Sequence, residues 1–130
     1  MLIAQLAPAM LLLATVAQGA MSGIEEPRQA VVRTAAEWRA LWKEHAPGQA
    51  APVVDFAQSM VVGVFLGSRP TAGFEVVITA VRQEGGRTVV DYVERRPPPD
   101  ELTAQVLTSP FHVVRAMRAT GEVEFRRAVK

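Results

Sequence analysis

Two histidines, four serines and a handful of carboxylates are this chain's candidates for catalysis or metal binding. A metal site needs several such ligands brought together, and His45 and His112 have no second ligand two to four residues away on either side. Nucleophilic catalysis needs a serine beside a base. None of Ser22, Ser59, Ser68 and Ser109 lies in a G-x-S-x-G setting, and the spacing Ser109 to His112 falls on a Ser-Pro break where turn chemistry is the simpler reading. Acid–base work on a glycoside needs two carboxylates, whereas Asp91 stands in a β-type run with no partner close by. A hydrolase would have to join His112 with Asp55 or Asp91 through the fold. Gly85-Gly86 is followed by no helix start and so is a turn, not a phosphate cradle. The residues therefore predict a non-enzymatic protein with no catalytic, cofactor-binding or metal-binding residues and no cofactor.

Composition narrows the class further. The 130 residues suffice for one domain. With 14 Lys+Arg against 13 Asp+Glu, the net charge of +1 provides no electrostatic pull toward nucleic acid. No cysteine is present, which excludes disulfides, thiolate metal sites and a lipid-modified cysteine. The first 23 residues carry no charge. Their apolar heart, Leu6 to Ala17, is short for a bilayer span and right for the core of a signal peptide. Ala17-Gln18-Gly19, with Ala20, supplies a small-residue cleavage signal, although the usual basic start is missing. The expectation is a signal peptide over 1–20, a mature domain over 21–130, and a periplasmic or secreted protein with no stable membrane span after cleavage.

Local patterns along the chain give the scaffold. Gln29–Arg33 is a short strand. Thr34-Ala35-Ala36-Glu37 has capping-box spacing, and Trp38, Leu41, Trp42 and His45 then share one helical face until Pro47-Gly48 stops the helix. Ser59–Leu66 is apolar on both alternations, as in a strand covered on both faces. Phe74–Gln83 alternates, with Phe74, Val76, Ile78 and Ala80 on one face. Gly85-Gly86 turns the chain into the return strand Arg87–Glu94. Pro97-Pro98-Pro99 is an exposed connection. Leu102–Thr108, Phe111–Arg118 and Glu122–Arg126 read as further strands. The fold class is α+β: an antiparallel β-sheet of about six or seven strands with one packed N-terminal helix. The predicted core is Trp38, Leu41, Trp42, Val62, Val64, Phe65, Phe74, Val76, Ile78, Phe111, Val113 and Phe125.

One stretch is longer than a hairpin needs: Gly67-Ser68-Arg69-Pro70-Thr71-Ala72-Gly73-Phe74. A valine-rich strand ends in Phe-Leu-Gly. The loop opens a "GFEVVI" strand, a Gly-Gly hairpin and a Pro-rich loop follow, and then comes Thr108-Ser109-Pro110-Phe111-His112. In order and spacing these motifs resemble the PrcB C-terminal domain family, named from a small subunit of a bacterial surface protease complex. The family's Thr-Gly-Gly-Tyr loop stands here as Thr71-Ala72-Gly73-Phe74, and its Thr-x-Pro-Tyr/Phe segment as Thr108-Ser109-Pro110-Phe111. The resemblance implies a protein-binding module, an accessory or stabilising subunit whose partner is another envelope protein, with a protease as the class. It implies no catalytic residue. The family's namesake is a lipoprotein, and this chain has no cysteine to lipidate. The same loop is also similar to the Pro-Thr-Thr-Gly-Tyr loop of chagasin-type cysteine-protease inhibitors, which implies the alternative of an inhibitor presenting loops 68–74 and 108–111. On either view the partner-binding candidates are Arg69, Pro70, Thr71, Gly73, Phe74, Ser109, Pro110 and Phe111.

Overall fold

The computed structural model describes residues 9–128. In chain order the elements are β1 (Ala9–Met10), β2 (Leu12–Gly19), β3 (Arg28–Val32), α1 (Ala35–His45), β4 (Ser59–Phe65), β5 (Glu75–Glu84), β6 (Arg87–Arg95), β7 (Phe111–Met117) and β8 (Val123–Arg127). They build two four-stranded sheets, ordered β1-β5-β6-β8 and β2-β7-β4-β3. All pairings are antiparallel except β6 with β8. The α+β class thus holds, with eight described strands in two sheets rather than six or seven in one.

Strand β4 is buried along its whole length, and its two apolar alternations face two different layers. Met60, Val62, Val64 and the following Leu66 pack with Val76, Ile78, Val81 and Val90 of the other sheet. Val61 and Phe65 pack with Trp38, Leu41 and Trp42 of α1. The order of layers is therefore sheet, sheet, helix, which is why the central strand is apolar on both sides. Helix α1 starts as its sequence predicts. The Thr34 hydroxyl accepts from the Glu37 N–H, and the Glu37 carboxylate accepts from the Thr34 N–H in return. The Trp38 indole N–H donates to the Pro52 carbonyl at 2.8 Å, so that ring is buried with its polar atom satisfied.

Two strands depart from their predicted pattern. In β5, Ile78 pairs with Tyr92 but Ala80 pairs with Asp91, so Thr79 is an extra residue, a β-bulge. Parity flips there, and Val81 rather than Ala80 continues the inward face begun by Val76 and Ile78. Phe74 and Phe125 are half-buried, while the other ten predicted core residues are buried. Leu102–Thr108 is not a strand. Its only ladder-like pairing is the bridge of Thr108 to Arg69, and Leu102, Val106 and Leu107 are exposed. Alternation alone does not make a strand without a sheet edge to receive it.

The largest difference lies at the N-terminus. The uncharged segment read as a signal peptide over 1–20 is strand from Ala9 to Gly19, apart from Leu11 between β1 and β2; Leu6 to Pro8 lie outside the described residues. Leu11 is buried at the corner where the two sheets meet. Its N–H donates to the Val81 carbonyl of β5, and its carbonyl accepts from the Met117 N–H of β7. In this structure Leu12–Gly19 pairs with β7 from Ala116 back to Phe111. An uncharged apolar run fits an h-region and a sheet strand equally, because both ask only for hydrophobicity over a short length. A chain lacking residues 1–19 would uncover the β7 edge and the cluster around Leu11. It is expected to lose its cooperative thermal transition, followed by near-ultraviolet circular dichroism; a sharp transition in the shortened chain would refute the structural role of β2.

Candidate functional site

The loop after β4 is built from the inside outward by Arg69. Its backbone pairs with Thr108 in both directions, at 2.7 and 2.9 Å. Its guanidinium grips the Glu94 carboxylate with two N–H groups, at 3.0 and 3.2 Å, and donates to the carbonyls of Leu66 and Ser68. The Phe74 ring lies 5.9 Å below the same guanidinium, within cation–π range. The side chain of Glu94 is 1% exposed, so this is a buried carboxylate held by a fork of donors. Burial pushes the Glu94 carboxyl up, but Arg69, with Arg127 and Arg96 farther off, more than offsets it and holds the group below the ordinary carboxylate range.

The loop and the later motif do come together. The Thr108 hydroxyl donates to the Thr71 carbonyl at 3.0 Å, and the Ala72 N–H donates to the Ala104 carbonyl. Gly73 has φ +96°, and a Cβ there would sit 2.9 Å from Pro97 Cβ, so the Pro-rich connection packs on the same end. The residues of the second motif are nevertheless interior. Ser109 exchanges backbone bonds with Ala20 and Ser22, the Pro110 carbonyl accepts from Leu66, and Phe111 stacks among His45 and Phe65. Ser109, Pro110 and Phe111 are all buried. Of the eight predicted contact residues, Pro70 and Gly73 are exposed and Thr71 and Phe74 are half-buried, while Arg69 is an internal anchor.

Around this anchor runs a cleft of about 450 Å³ lined by Pro27 to Gln29, the end of β4, Arg69, Tyr92, Glu94 and Arg127. No local motif marks it in the sequence. Glu94 reads there as one acidic residue at a strand end, with nothing nearby to show that it is buried.

Both histidines are interior, and each ring is hydrogen-bonded within the fold. His112 Nδ1 accepts from the Ile78 N–H at 2.8 Å, which leaves Nε2 to donate to the Thr15 hydroxyl at 2.9 Å. His45 Nδ1 lies 2.7 Å from the Ser22 hydroxyl, which also accepts from the Ile24 N–H. Asp91 holds Arg82, and Asp55 caps Ala57, so neither carboxylate joins His112. Ser109 does not bond to His112 either. Among the described residues no group of three or more metal-ligand side chains comes together, and no helix is long and apolar enough to cross a membrane.

Burial pushes both imidazoles below the usual histidine value. The unfolded chain then binds protons that the folded chain refuses, so stability is full above about pH 6.5 and falls as the pH drops toward the folded values. Urea midpoints between pH 8 and 5 should show this decline. A His112→Gln chain, which keeps an acceptor for Ile78 but cannot be protonated, should lose part of that slope. An unchanged slope would mean that His112 is not a source of it. For the buried pair, Arg69→Leu leaves Glu94 buried against weaker partners. It should cost about 3 kcal/mol at neutral pH, measured by chemical denaturation, and Arg69→Leu/Glu94→Leu should recover most of that loss. Recovery by the double variant is the decisive reading, since a loop disturbed for other reasons would stay destabilised.

No curated protein and no solved structure gives a match to this chain. The family model described as PrcB C-terminal matches residues 60–116, from the second residue of β4 to the sixth of β7, and so covers the loop, the hairpin, Glu94 and the Thr108–Phe111 segment. That match bears out the resemblance carried by the motifs: over residues 60–116 this chain is similar to the PrcB C-terminal family.

Proposed function

We propose that this domain is a non-enzymatic protein-binding module, the accessory or stabilising subunit of an envelope protease complex. The family match supports a protease-complex association. One structural observation carries the binding surface. Leu102, Val106 and Leu107 are 98%, 52% and 71% exposed on an extended segment hydrogen-bonded to the Arg69–Phe74 loop at Ala72 and Arg69. Large apolar side chains gathered beside a loop braced by a buried ion pair make a surface that binds with little ordering cost. The docking surface is then Pro70 to Phe74 with Leu102 to Leu107, and Ser109–Phe111 serve as its support.

The inhibitor alternative fits less well, because the 108–111 segment that would act as a second wedge is enclosed. The exported location expected of the chain is part of this reading.

Replacing the whole loop would remove Arg69 and confuse docking with folding. The test therefore changes exposed positions only: Pro70→Ala with Leu102→Ser and Leu107→Ser, in a tagged chain used to capture partners from the parent cell envelope. The expected result is a protease captured by the native chain, lost at least tenfold with the variant at unchanged melting temperature, and left active when bound. Capture that survives the variant would move the surface elsewhere. Inhibition of the captured protease at equal amounts would favour the inhibitor.

A further inference from the structure

The cleft beside Arg69 carries more positive charge than its carboxylates absorb. Arg69, Arg96 and Arg127 all lie within 4 Å of Glu94, and Arg28 pairs with the exposed Glu44 across 2.9 Å. Both Glu94 oxygens already accept from Arg69 at close range. Arg127 reaches Glu94 only at 3.5 Å and Arg96 at 3.9 Å, and their side chains are 50% and 68% exposed. Among the described residues neither guanidinium has a partner closer than these contacts, and Arg127 lines the cleft. Two further donors line the cleft: the Gln29 amide and the Tyr92 hydroxyl, joined by a long 3.4 Å contact. Pro27, Val64 and Leu66 form the apolar part of the lining.

We propose that this cleft binds the carboxylate of an acidic peptide segment, held by Arg127 and Arg28 with Gln29 and Tyr92 as neutral donors. The inference rests on the protein-binding reading and names the chemistry of the partner. A planar carboxylate suits a guanidinium fork. The Glu94 charge on the cleft wall disfavours a dianion such as phosphate, while a single negative charge is balanced by the surplus arginines. The apolar lining accepts the aliphatic stem of a Glu or Asp. Because Arg69 forms one wall of the cleft and the base of the apolar loop, a partner could engage both from one side.

The test titrates the isotopically labelled whole chain with acetyl-Gly-Gly-Glu-Gly-Gly-amide, with its Gln counterpart and with inorganic phosphate, following backbone amide shifts. The acidic peptide should move Gln29, Leu66, Tyr92 and Arg127. Arg127→Gln and Arg28→Gln, at exposed positions, should each weaken it about tenfold, the loss of one charge-assisted hydrogen bond. Arg39→Gln, on the helix, should leave it unchanged. Equal binding of the neutral peptide, equal or tighter binding of phosphate at the same residues, no shift at all, or equal weakening by Arg39→Gln would each overturn the proposal. Partner capture that persists in Arg28→Gln/Arg127→Gln would also overturn it, while leaving the module reading intact. The titration needs no partner, so its outcome stands whether or not that reading survives.

Discussion

Strand β5 has an edge in the middle of the molecule, and the way that edge is satisfied governs how the two sheets meet. Its outer side is paired along its length with β6. On the inner side, β1 covers only Arg82 and Gln83. The remaining polar backbone groups would be costly if buried without partners. Three contacts from the second sheet and the corner meet them: Gln18 donates to the Val76 carbonyl, the Ile78 N–H donates to His112, and the Leu11 N–H donates to the Val81 carbonyl. These bonds join the two sheets at a corner without a continuous ladder. They explain why an apparently dispensable N-terminal segment and a neutral histidine are structural.

The loop end of the molecule obeys a second version of the same rule. The Glu94 side chain is buried, and a buried carboxylate persists only when paired and hydrogen-bonded. Arg69 meets that demand. In doing so it fixes the path of Ser68 to Phe74 and, through Thr108, that of the chain from Ala104 to Pro110. A loop braced by an interior ion pair differs from a loop that displays its arginine. The same residue type at the same position would read identically in sequence.

Legibility in the sequence followed locality. The helix, its capping box, its stop at Pro47-Gly48 and the Gly85-Gly86 hairpin all depend on residues a few positions apart, and all are present. The double-sided burial of Ser59–Leu66 was legible because apolar residues on both alternations have no other favourable placement. The bulge at Thr79 was not, since one inserted residue leaves the alternation of a valine-rich strand nearly unchanged. The candidate site was half legible: the two motifs do adjoin, but which side chains face outward depends on neighbours far along the chain.

The order of residues alone was enough for the class of fold, the helix and its apolar face, the central strand, and the family to which residues 60–116 point. Each rests on periodicity, capping or turn chemistry within one segment. Four other features had to wait for the assembled fold: Leu12–Gly19 is a strand, Arg69 turns inward to Glu94, Pro110 and Phe111 are enclosed, and three arginines line one cleft. The physical reason is common to all four. Pairing, burial and charge balance are set by which distant segments lie side by side, and an apolar or charged residue is compatible with several such neighbours until the fold selects one.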